Sequence, residues 1–544
     1  MPDDDPIRWW GWGRLSQQYP PKKARRVLDY LQREKGFPKL DPCPPPRLEE
    51  LSIEEPTSGL GKLQEAVPPG RFHTDALGRV THSCGKSYRD LLQLRLRQLN
   101  RLPDAVVTPR STHEVRNLLD AAAAEGVVVV PFGGGTSVVG GVEGPMDGRP
   151  WISLDTTHMN RCLRVDPISQ TATFEAGVLG PDLEEVLTPM GLSLGHFPQS
   201  FEYSTLGGWV ASRSAGQAST LYGKIENMVS GLRAEMPGET VETLDVPASA
   251  AGPDIAGLLI GSEGTLGVIT QATVRLHPLP DETLWRAYFL DDFEQAVDCL
   301  RIMIQRGILP AVTRLSDPTE TESALATTSG GWTPAGLLKG LALRSLRARA
   351  RRGGCLLLLG FEGAARELHV PARDAAGILH RARAQDLGAG PARSWHEGRF
   401  LLPYLRDDLL DARIMVDTLE TAAPWSRLMP LYRRLREDIG AVLGDAPIMT
   451  HLSHLYPDGA SLYVTFMAPQ SPGRELEQWS RVKKAASEAI MAMGGTISHH
   501  HGAGADHRTW SQAQLGRGGV RMLRGLKREL DPQNILNPGK IFEI

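Results

Sequence analysis

Short apolar runs alternate with segments of helical periodicity between residues 102 and 278. The spacing predicts a strand at 105–107 and a helix at 115–125, which Ser111 and Glu114 would open as the two ends of a capping box. A helix is also predicted at 181–187, and further apolar runs predict strands at 127–130, 151–154, 171–175 and 268–274. This alternation predicts an α/β domain that closes near Pro278.

A second region begins at residue 282. Amphipathic spacing predicts helices at 292–306 and 371–385, with a strand at 355–361 between them, and together these elements favour a sheet covered by helices. Residues 333–352 also have the pattern of a basic amphipathic helix. That helix could touch an anionic membrane surface, or it could pack on its own domain with solvated arginines. Its leucines and arginines are Leu337, Leu338, Leu341, Leu343, Leu346, Arg344, Arg347, Arg349, Arg351 and Arg352.

Residues 1–98 are rich in proline and charge, and they include the aromatic patch Trp9, Trp10 and Trp12. We expect an irregular arm that wraps a domain with its tryptophans as anchors and carries no chemistry. The predicted organisation is therefore an arm at 1–98, a first domain at 99–279, a second domain at 280–495, and a segment at 496–544 that returns to the first domain.

Charge and composition exclude several classes of protein. The chain has 544 residues, with 60 Lys and Arg against 63 Asp and Glu and a formal net charge of −3, so a global nucleic-acid binder is disfavoured. The five cysteines form no C-x-x-C pair, which argues against a disulfide framework or a zinc knot. The acidic start and the lack of a long apolar run predict no secretory signal and no transmembrane segment, and hence a cytoplasmic protein.

The candidate chemistry starts at a glycine-rich loop. Gly133, Gly134 and Gly135 follow the apolar run 127–130, and without Cβ atoms their N–H groups can converge on an anion. A plain tight turn remains an alternative. Segments 204–209, 212–216 and 261–270 combine small residues with hydroxyls and predict a long cofactor groove. No G-x-G-x-x-G opens a helix, so NAD binding in the usual geometry is disfavoured.

These four segments, in this order, resemble the vanillyl-alcohol-oxidase or PCMH-type FAD-binding proteins, whose marks are P-x-G-G-G-T-S and E-G-T-L-G-V-I-T. The resemblance covers roughly 99–279. It implies an α+β (mixed α/β) fold with a two-subdomain FAD-binding domain and a cap domain whose antiparallel sheet is covered by helices. Because no histidine lies in or just before the glycine loop, we expect non-covalent FAD. The residues that should contact FAD are Pro131, Phe132, Gly133, Gly134, Gly135, Thr136, Ser137, Gln199, Ser200, Phe201, Glu202, Tyr203, Ser204, Thr205, Ser212, Arg213, Ser214, Ala215, Glu263, Gly264, Thr265, Leu266, Gly267, Val268 and Ile269.

Three adjacent histidines, His499, His500 and His501, precede Gly502 near the end of the second region. Such a triplet could bind a metal, supply acid/base groups near pH 7, or be accidental. Adjacent side chains point in different directions, so we predict no metal held by all three. A catalytic or substrate-binding pair is favoured instead.

Within this family the chain resembles the alkyldihydroxyacetonephosphate synthases. That resemblance implies exchange of the acyl group of acyl-dihydroxyacetone phosphate for a long-chain alcohol, through an adduct on the flavin N5 and with no net redox change. The segments that carry it are 9–13, 133–141, 159–161, 195–196, 313–315, 420–425, 456–463 and the histidine triplet.

The same resemblance implies a role for each candidate residue. Tyr463 matches the proton-transfer tyrosine, for which nearby cations would lower the pKa. Arg314 and Arg406 match arginines that serve activity and substrate binding, and their donor forks suit a phosphate. The three histidines would orient or deprotonate the alcohol, and His196 would lie beside the flavin ring at the substrate.

Simpler interpretations of these residues stay open. Tyr463 lies in an alternating strand, where an aromatic side chain is more often part of the core. Arg406 could form a surface ion pair with the neighbouring Asp407 or Asp408, and Arg314 could do the same with an acid of its own segment. His196 could be a buried histidine with satisfied hydrogen bonds.

Two features depart from the synthase pattern. Gln199 stands where the animal synthases carry an acid, which changes one contact and not the fold, whereas the ending Asn537 to Lys540 is common in flavin-linked D-2-hydroxyacid dehydrogenases and favours a rival function. Those dehydrogenases carry an H-x-G-D-G-N-x-H metal motif, whereas this chain has His451 and His454 without that frame. The rival predictions are such a dehydrogenase or oxidase, or a flavin-fold protein that binds a partner without catalysis. Peripheral membrane contact and homodimerisation also stay open.

Overall fold

The computed structural model describes residues 5–57, 59–99, 101–328 and 334–544, with side chains in the last range from residue 339 onward. Its strands are β1 Phe72–His73, β2 Ala105–Val107, β3 Val128–Phe132, β4 Trp151–Asp155, β5 Cys162–Asp166, β6 Thr171–Glu175, β7 Leu192–Ser193, β8 Val229–Met236, β9 Glu239–Glu242, β10 Val268–Arg275, β11 His277–Pro278, β12 Glu282–Leu290, β13 Val312–Ser316, β14 Cys355–Gly363, β15 Gln385–Gly388, β16 Ile414–Pro424, β17 Ile448–Leu452 and β18 Gly459–Pro469.

Helices connect and cover these strands. They are α1 Pro21–Glu34, α2 Gly61–Glu65, α3 Ala76–Thr81, α4 Tyr88–Arg95, α5 Thr112–Glu125, α6 Gly180–Leu187, α7 Leu206–Ser212, α8 Ser219–Tyr222, α9 Ile225–Met228, α10 Ile255–Leu259, α11 Phe293–Gln305, α12 Pro318–Thr327, α13 Pro334–Ala350, α14 His369–Arg381, α15 Gly390–Glu397, α16 Leu402–Asp411, α17 Trp425–Leu443, α18 Glu475–Ala492 and α19 Arg508–Leu530.

The first domain contains two main sheets. One has the order β1-β2-β4-β3, in which β2, β4 and β3 run parallel, and the other has the antiparallel order β5-β6-β10-β8-β9. Leu118 and Leu119 of α5 pack with Val129 of β3 in one core cluster. The strands and the helix that the sequence predicts here are confirmed within a few residues. The capping box is only half formed, because Ser111 accepts from the Glu114 N–H while the Glu114 carboxylate accepts from Arg110 instead.

The second domain is built on a seven-stranded antiparallel sheet of order β15-β12-β14-β13-β17-β18-β16. Helices α11, α14, α17 and α18 contribute buried apolar residues to the core on one of its faces. Successive side chains of a strand point to opposite faces. Leu462 and Val464 of β18 therefore join that core, while Tyr463 and Thr465 line a cavity on the other face. The expected mixed α/β fold class with a helix-covered antiparallel sheet is confirmed.

The predicted helix at 371–385 is wrong beyond Arg381. Arg383 has a φ of 56°, in the left-handed region that ends helices, and the chain then enters β15 beside β12. The sequence pattern missed this change because the segment contains no glycine or proline at the break.

The expectation of an irregular N-terminal arm is also wrong in part. The described arm contains α1 to α4, and Ser87 and Asp90 form a complete capping box at the start of α4. Trp12 does act as an anchor, since its ring meets Tyr203 edge-on with centroids 5.8 Å apart. The N-terminal arm also reaches the cavity beside Tyr463, because Trp12 is one of the residues that line that cavity.

The basic helix α13 is paired with acidic residues. Arg347 and Arg351 contact both Glu34 and Glu322, and Arg349 contacts Asp291. From the sequence, these arginines could have contacted an anionic membrane surface. In the structure, Arg347 and Arg351 dock α13 on α1 and α12. The predicted start of this helix at Thr333 lies outside the described residues.

The end of the chain packs on the first domain. The Asn537 backbone N–H donates to Val129, 3.0 Å away, and its side chain donates to the carbonyls of Gly141 and Glu263. In the described part of the chain, none of the helices combines the length and apolarity that crossing a bilayer requires.

Candidate active site

A cavity of about 520 Å³ lies between the glycine loop of the first domain and the open face of the seven-stranded sheet. Many of the predicted FAD contacts line it: Pro131, Phe132, Gly133, Gly134, Gly135, Thr136, Ser137, Gln199, Ser200, Ser204, Thr205, Ser212, Ser214, Ala215, Glu263, Gly264, Gly267, Val268 and Ile269. The other predicted contacts are not among the residues that line the cavity: Phe201, Glu202, Tyr203, Arg213, Thr265 and Leu266.

The glycine loop needs glycines because the segment 203–205 passes directly against it. A Cβ on Gly134 would lie 1.5 Å from the Tyr203 carbonyl oxygen, and one on Gly133 would lie 2.3 Å from Thr205 Oγ1. Gly135 has a φ of 63°, which L side chains rarely adopt. The loop therefore brings bare backbone to the cavity wall, where its N–H groups can face a phosphate.

The lining fits an extended nucleotide cofactor. Hydroxyls of Thr136, Ser200 and Ser212 stand at the wall together with the glycine backbone, and both can bond phosphate or ribityl oxygens. Glu263 accepts from the backbone N–H groups of Ala503, 2.6 Å away, and Gly504, 2.9 Å away. Burial raises the pKa of Glu263 to about 7. This carboxylate thus connects the cofactor wall to the loop that carries the histidine triplet.

Tyr463 lies at the centre of the opposite wall, stacked on His451 with ring centroids 4.8 Å apart. Arg314 Nη1 donates to His451 Nε2 over 3.2 Å, and His451 Nδ1 lies 3.3 Å from a carboxylate oxygen of Glu320. Glu320 also pairs with Arg314. The Arg314 fork is therefore engaged by its neighbours, and its acid partner is Glu320 rather than an acid of its own strand.

The expected lowering of the Tyr463 pKa is wrong. Burial raises the pKa of this phenol, and the nearby Arg314 offsets the increase only in part because Glu420 and Asp417 act in the opposite direction. Tyr463 therefore lies in the cavity as a neutral phenol near pH 7.

Arg406 differs from Arg314 in its free donors. Its Nη1 donates to the Lys86 carbonyl, whereas its shielded Nε and Nη2 have no hydrogen-bond partner among the described residues. Within the described part of the chain, Arg406 forms no ion pair with Asp407 or Asp408; Asp407 instead pairs with Arg8 and accepts from the Trp12 N–H. Because Arg406 also lines the cavity, its guanidinium places positive charge beside that space, with two nitrogens that no described residue uses.

The histidine triplet lies in the loop between α18 and α19, and backbone contacts hold it. The Glu420 carboxylate accepts from the N–H groups of His499, His500 and His501, and from the Ser498 hydroxyl. The rings of His500 and His501 line the cavity, whereas His499 points away toward Tyr456.

Burial lowers the pKa of each of the three histidines, for His499 and His500 well below the usual value. Of the alternatives raised from the sequence, histidines that titrate near pH 7 are therefore disfavoured, and the rings are neutral at that pH. His454, His499 and His500 offer ring nitrogens within 4.8 Å of one another, so this set could hold a metal ion. This set differs from the three adjacent histidines considered from the sequence, because it contains His454 in place of His501. That the protein binds no metal stays a prediction.

His196 does not join the other site residues. It is fully buried, its Nε2 lies 3.2 Å from Ser214 Oγ, and its ring packs on Trp209 with centroids 4.8 Å apart. Burial lowers its pKa to about 3. The ring is one layer behind the cavity lining, where it can support Ser214.

The cavity has an apolar arm that sequence reasoning missed. Its walls come from α16 and from the open face of β16, β17 and β18, where period-2 alternation of apolar residues in the strands was the available signal. The residues of this arm are Leu402, Leu405, Leu409, Val416, Met449 and Met467. Sequence reasoning also missed Trp12, Glu320, His451 and Glu420 as parts of the site.

Family models match both halves of the chain. The FAD binding domain matches residues 103–245, and the C-terminal domain of FAD-linked oxidases matches residues 280–541. Solved structures titled alkyldihydroxyacetonephosphate synthase superpose with TM-scores of 0.85 and 0.82, at 32% and 31% identity, over 98% of both chains. A p-cresol methylhydroxylase superposes with a TM-score of 0.68 at 15% identity over 90% of this chain and 98% of its own, which shows the fold alone. Fold and site together define a flavoprotein with FAD as its cofactor.

Curated relatives narrow the family. Alkyldihydroxyacetonephosphate synthases of Dictyostelium discoideum and Trypanosoma brucei brucei are each 34% identical, over 92% and 98% of this chain and 84% and 92% of their own length. The glycolate oxidase subunit GlcD of Bacillus subtilis is 29% identical over 88% of this chain and 96% of its own. The chain belongs to the alkyldihydroxyacetonephosphate synthase family, and it is an FAD-dependent enzyme of that family.

Proposed function

We propose that the protein exchanges the acyl group of acyl-dihydroxyacetone phosphate for a long-chain alcohol. The ester C–O bond breaks and the acyl group leaves as a fatty carboxylate. The alcohol oxygen forms the new ether bond and its proton is released, so nothing is oxidised overall. The observation that carries the proposal is the lining of the cavity, in which Arg406 and the residues of the apolar arm share one space with Tyr463.

The phosphate and the hydrocarbon chain of the substrate would contact different residues of the cavity lining. The Arg406 Nε and Nη2 groups suit a phosphate dianion, because a guanidinium donates to phosphate oxygens as a planar fork. Val416, Met449 and Met467 can take a hydrocarbon chain, whose transfer from water into an apolar site is favourable. A small hydroxyacid would leave that arm unfilled, so the arm favours a lipid substrate over the dehydrogenase function.

The flavin, when bound, supplies an electrophilic and nucleophilic ring position that the side chains lack. This chain's own residues hold the protons. In this proposal Tyr463, which lines the cavity, moves a proton at the substrate carbon that bears the ester, and neutral His500 or His501 accepts the alcohol proton. Arg314, held by Glu320 and His451, keeps positive charge beside the Tyr463 phenol. We propose that the FAD is non-covalent, since no histidine stands in the glycine loop.

The deciding experiment measures exchange without an electron acceptor. Purified holoenzyme is incubated with acyl-dihydroxyacetone phosphate and a labelled long-chain alcohol, and we expect label in the ether product with release of one fatty acid per ether formed. Bound, reducible flavin without exchange would contradict the proposal. Rapid flavin bleaching by a D-2-hydroxyacid would instead establish the dehydrogenase.

A lipid substrate favours peripheral membrane contact, which can be tested directly. Self-association is a separate prediction that can be tested with the same preparation. The pairing of Arg347 and Arg351 with acids weakens the case for α13 as the contact, although Leu341 is 61% exposed beside them. Co-sedimentation with anionic vesicles tests the contact, and light scattering tests for a homodimer. A monomer that stays in the supernatant at low salt would contradict both.

A further inference from the structure

The histidine loop is attached to the rest of the protein by carboxylates that come from two different domains. Glu420, on β16 of the seven-stranded sheet, holds the end of the loop at 498–501. Glu263, on the cofactor wall, holds its other end at Ala503 and Gly504. Gly502 and Gly504 have positive φ, and a Cβ on Gly504 would lie 2.0 Å from the Val139 carbonyl oxygen. The segment 498–504 is therefore fixed at both ends.

Glu420 is placed for this task by the sheet. In the β16·β18 pair it is the direct partner of Tyr463. Neighbours in a strand pair keep a fixed separation, so the group that holds the histidines is fixed relative to the tyrosine. Glu420 is 2% exposed and does not line the cavity. It therefore acts through the loop, without touching a substrate.

The bonding around Glu420 is specific to a carboxylate. Oε1 accepts from Ser498 Oγ at 2.7 Å, from the His500 N–H at 3.1 Å and from the His501 N–H at 2.8 Å, while Oε2 accepts from His499. An amide in the same place would turn an NH₂ donor toward one set of these donors. A buried donor without an acceptor is unfavourable, so the loop would have to move.

We propose that Glu420 is the positioning residue of the histidine triplet: its carboxylate orients the loop so that His500 and His501 lie beside Tyr463 at the cavity wall. The rings agree with this arrangement, because the centroids of His500 and His501 lie 6.1 and 5.8 Å from that of Tyr463. The inference rests on the proposed function, since it assigns a purpose to the histidine face of the same site.

The test compares Glu420→Gln with Glu475→Gln. Glu475 is also a buried carboxylate of the second domain, but it pairs with Arg413 and does not line the cavity. For Glu420→Gln we expect full FAD content, a kcat at least about 30-fold lower with little change in KM for acyl-dihydroxyacetone phosphate, and an altered pH profile of kcat. For Glu475→Gln we expect wild-type kinetics. A Glu420→Gln enzyme with the wild-type kcat and pH profile would overturn the proposal.

A second measurement does not depend on activity. Amide hydrogen exchange should speed up at 499–501 in Glu420→Gln and stay slow at 503–504, whereas Glu263→Gln should give the opposite pattern. Unchanged exchange at 499–501 would contradict the role of Glu420. If wild-type enzyme shows no exchange of alcohol, the proposed function fails, but the hydrogen-exchange pattern still decides the positioning role.

A milder variant covers the case in which Glu420→Gln does not fold. Ser498→Ala removes one of the four donors to Glu420 and leaves the carboxylate in place. We expect a several-fold lower kcat with unchanged FAD content. Wild-type kcat and wild-type exchange at 499–501 in Ser498→Ala, with Glu420→Gln unfolded, would show that Glu420 serves stability and would overturn the proposal.

Discussion

Tyr463 and His451 stack in the cavity with ring centroids 4.8 Å apart and ring planes inclined by 21°. The two residues are register partners on the neighbouring strands β17 and β18. This contact connects Tyr463 to Arg314 and Glu320 through His451, and it places the phenol in a charged but buried environment.

Tyr463→Phe should keep FAD and lose turnover, because only the hydroxyl that moves the proton is removed. We expect kcat to fall at least about 100-fold. Since burial raises the pKa of Tyr463, the wild-type kcat should rise with pH above neutrality, and the variant should lose that rise. Tyr288→Phe, at a buried tyrosine away from the cavity, is the control. Wild-type rates in Tyr463→Phe would remove the tyrosine from the mechanism.

Arg406→Met should weaken binding of the phosphate substrate, because its two unpaired donors have no substitute nearby. Hydrogen bonds to charged groups contribute about 1.5–3 kcal/mol, so KM should rise about 10- to 100-fold. Arg314→Met should mainly lower kcat, since that fork is occupied by Glu320 and His451. Steady-state kinetics with Arg433→Met as an exposed control separates the two effects. The reverse assignment of KM and kcat would contradict this division.

Gly134→Ala should prevent FAD binding. The added Cβ would lie 1.5 Å from the Tyr203 carbonyl oxygen, so the loop would have to leave its position. The measurement is the ratio of flavin absorbance to protein, with circular dichroism as a check on folding. Gly518→Ala has open space around its Cβ and should retain the cofactor. Full flavin content in Gly134→Ala would show that the loop does not form the cofactor wall.

Met467→Trp should shorten the alcohol that the enzyme accepts, because the larger ring would fill part of the apolar arm. Overpacking costs about 1–3 kcal/mol, so kcat/KM for a long-chain alcohol should fall about 10-fold or more while that for butanol changes little. Met522→Trp, at a residue 77% exposed, serves as the control. An equal loss of kcat/KM for both alcohols would show that the hydrocarbon chain of the alcohol binds elsewhere.

In Glu322→Gln the free energy of unfolding should decrease less in acid than it does in wild type. Burial alone would raise the pKa of Glu322, but hydrogen bonds from Tyr30 and Arg347 lower it to about 2. A carboxyl with a lowered pKa stabilises the fold above its unfolded pKa of about 4.3, and this contribution of about 2 kcal/mol is lost as pH falls toward 2.

Thermal unfolding midpoints measure this effect. The unfolding midpoint of wild type should be higher than that of Glu322→Gln near neutrality, and the difference should shrink as pH falls from about 5 toward 2. Glu49→Gln, at an exposed carboxyl, should follow wild type throughout. A difference that does not change with pH would rule out the ionised pair as its source.

The fold class and the cofactor loop could be predicted because they depend on local patterns. Residues such as Val128 and Val129 mark a buried strand, and consecutive glycines can serve few purposes other than close backbone approach. The break at Arg383 could not be predicted, because pairing with β12 overrides local helical spacing there.

The sequence by itself determined the alternation that builds the sheets, the glycine loop of the FAD site and the presence of Tyr463, the arginines and the histidines. Only the tertiary structure decided how these residues are used. Arg406 keeps its donors and Arg314 does not, and Glu420 holds histidines about eighty residues further along the chain. The physical reason is that charge compensation and burial depend on distances between residues far apart in sequence, which local periodicity does not contain.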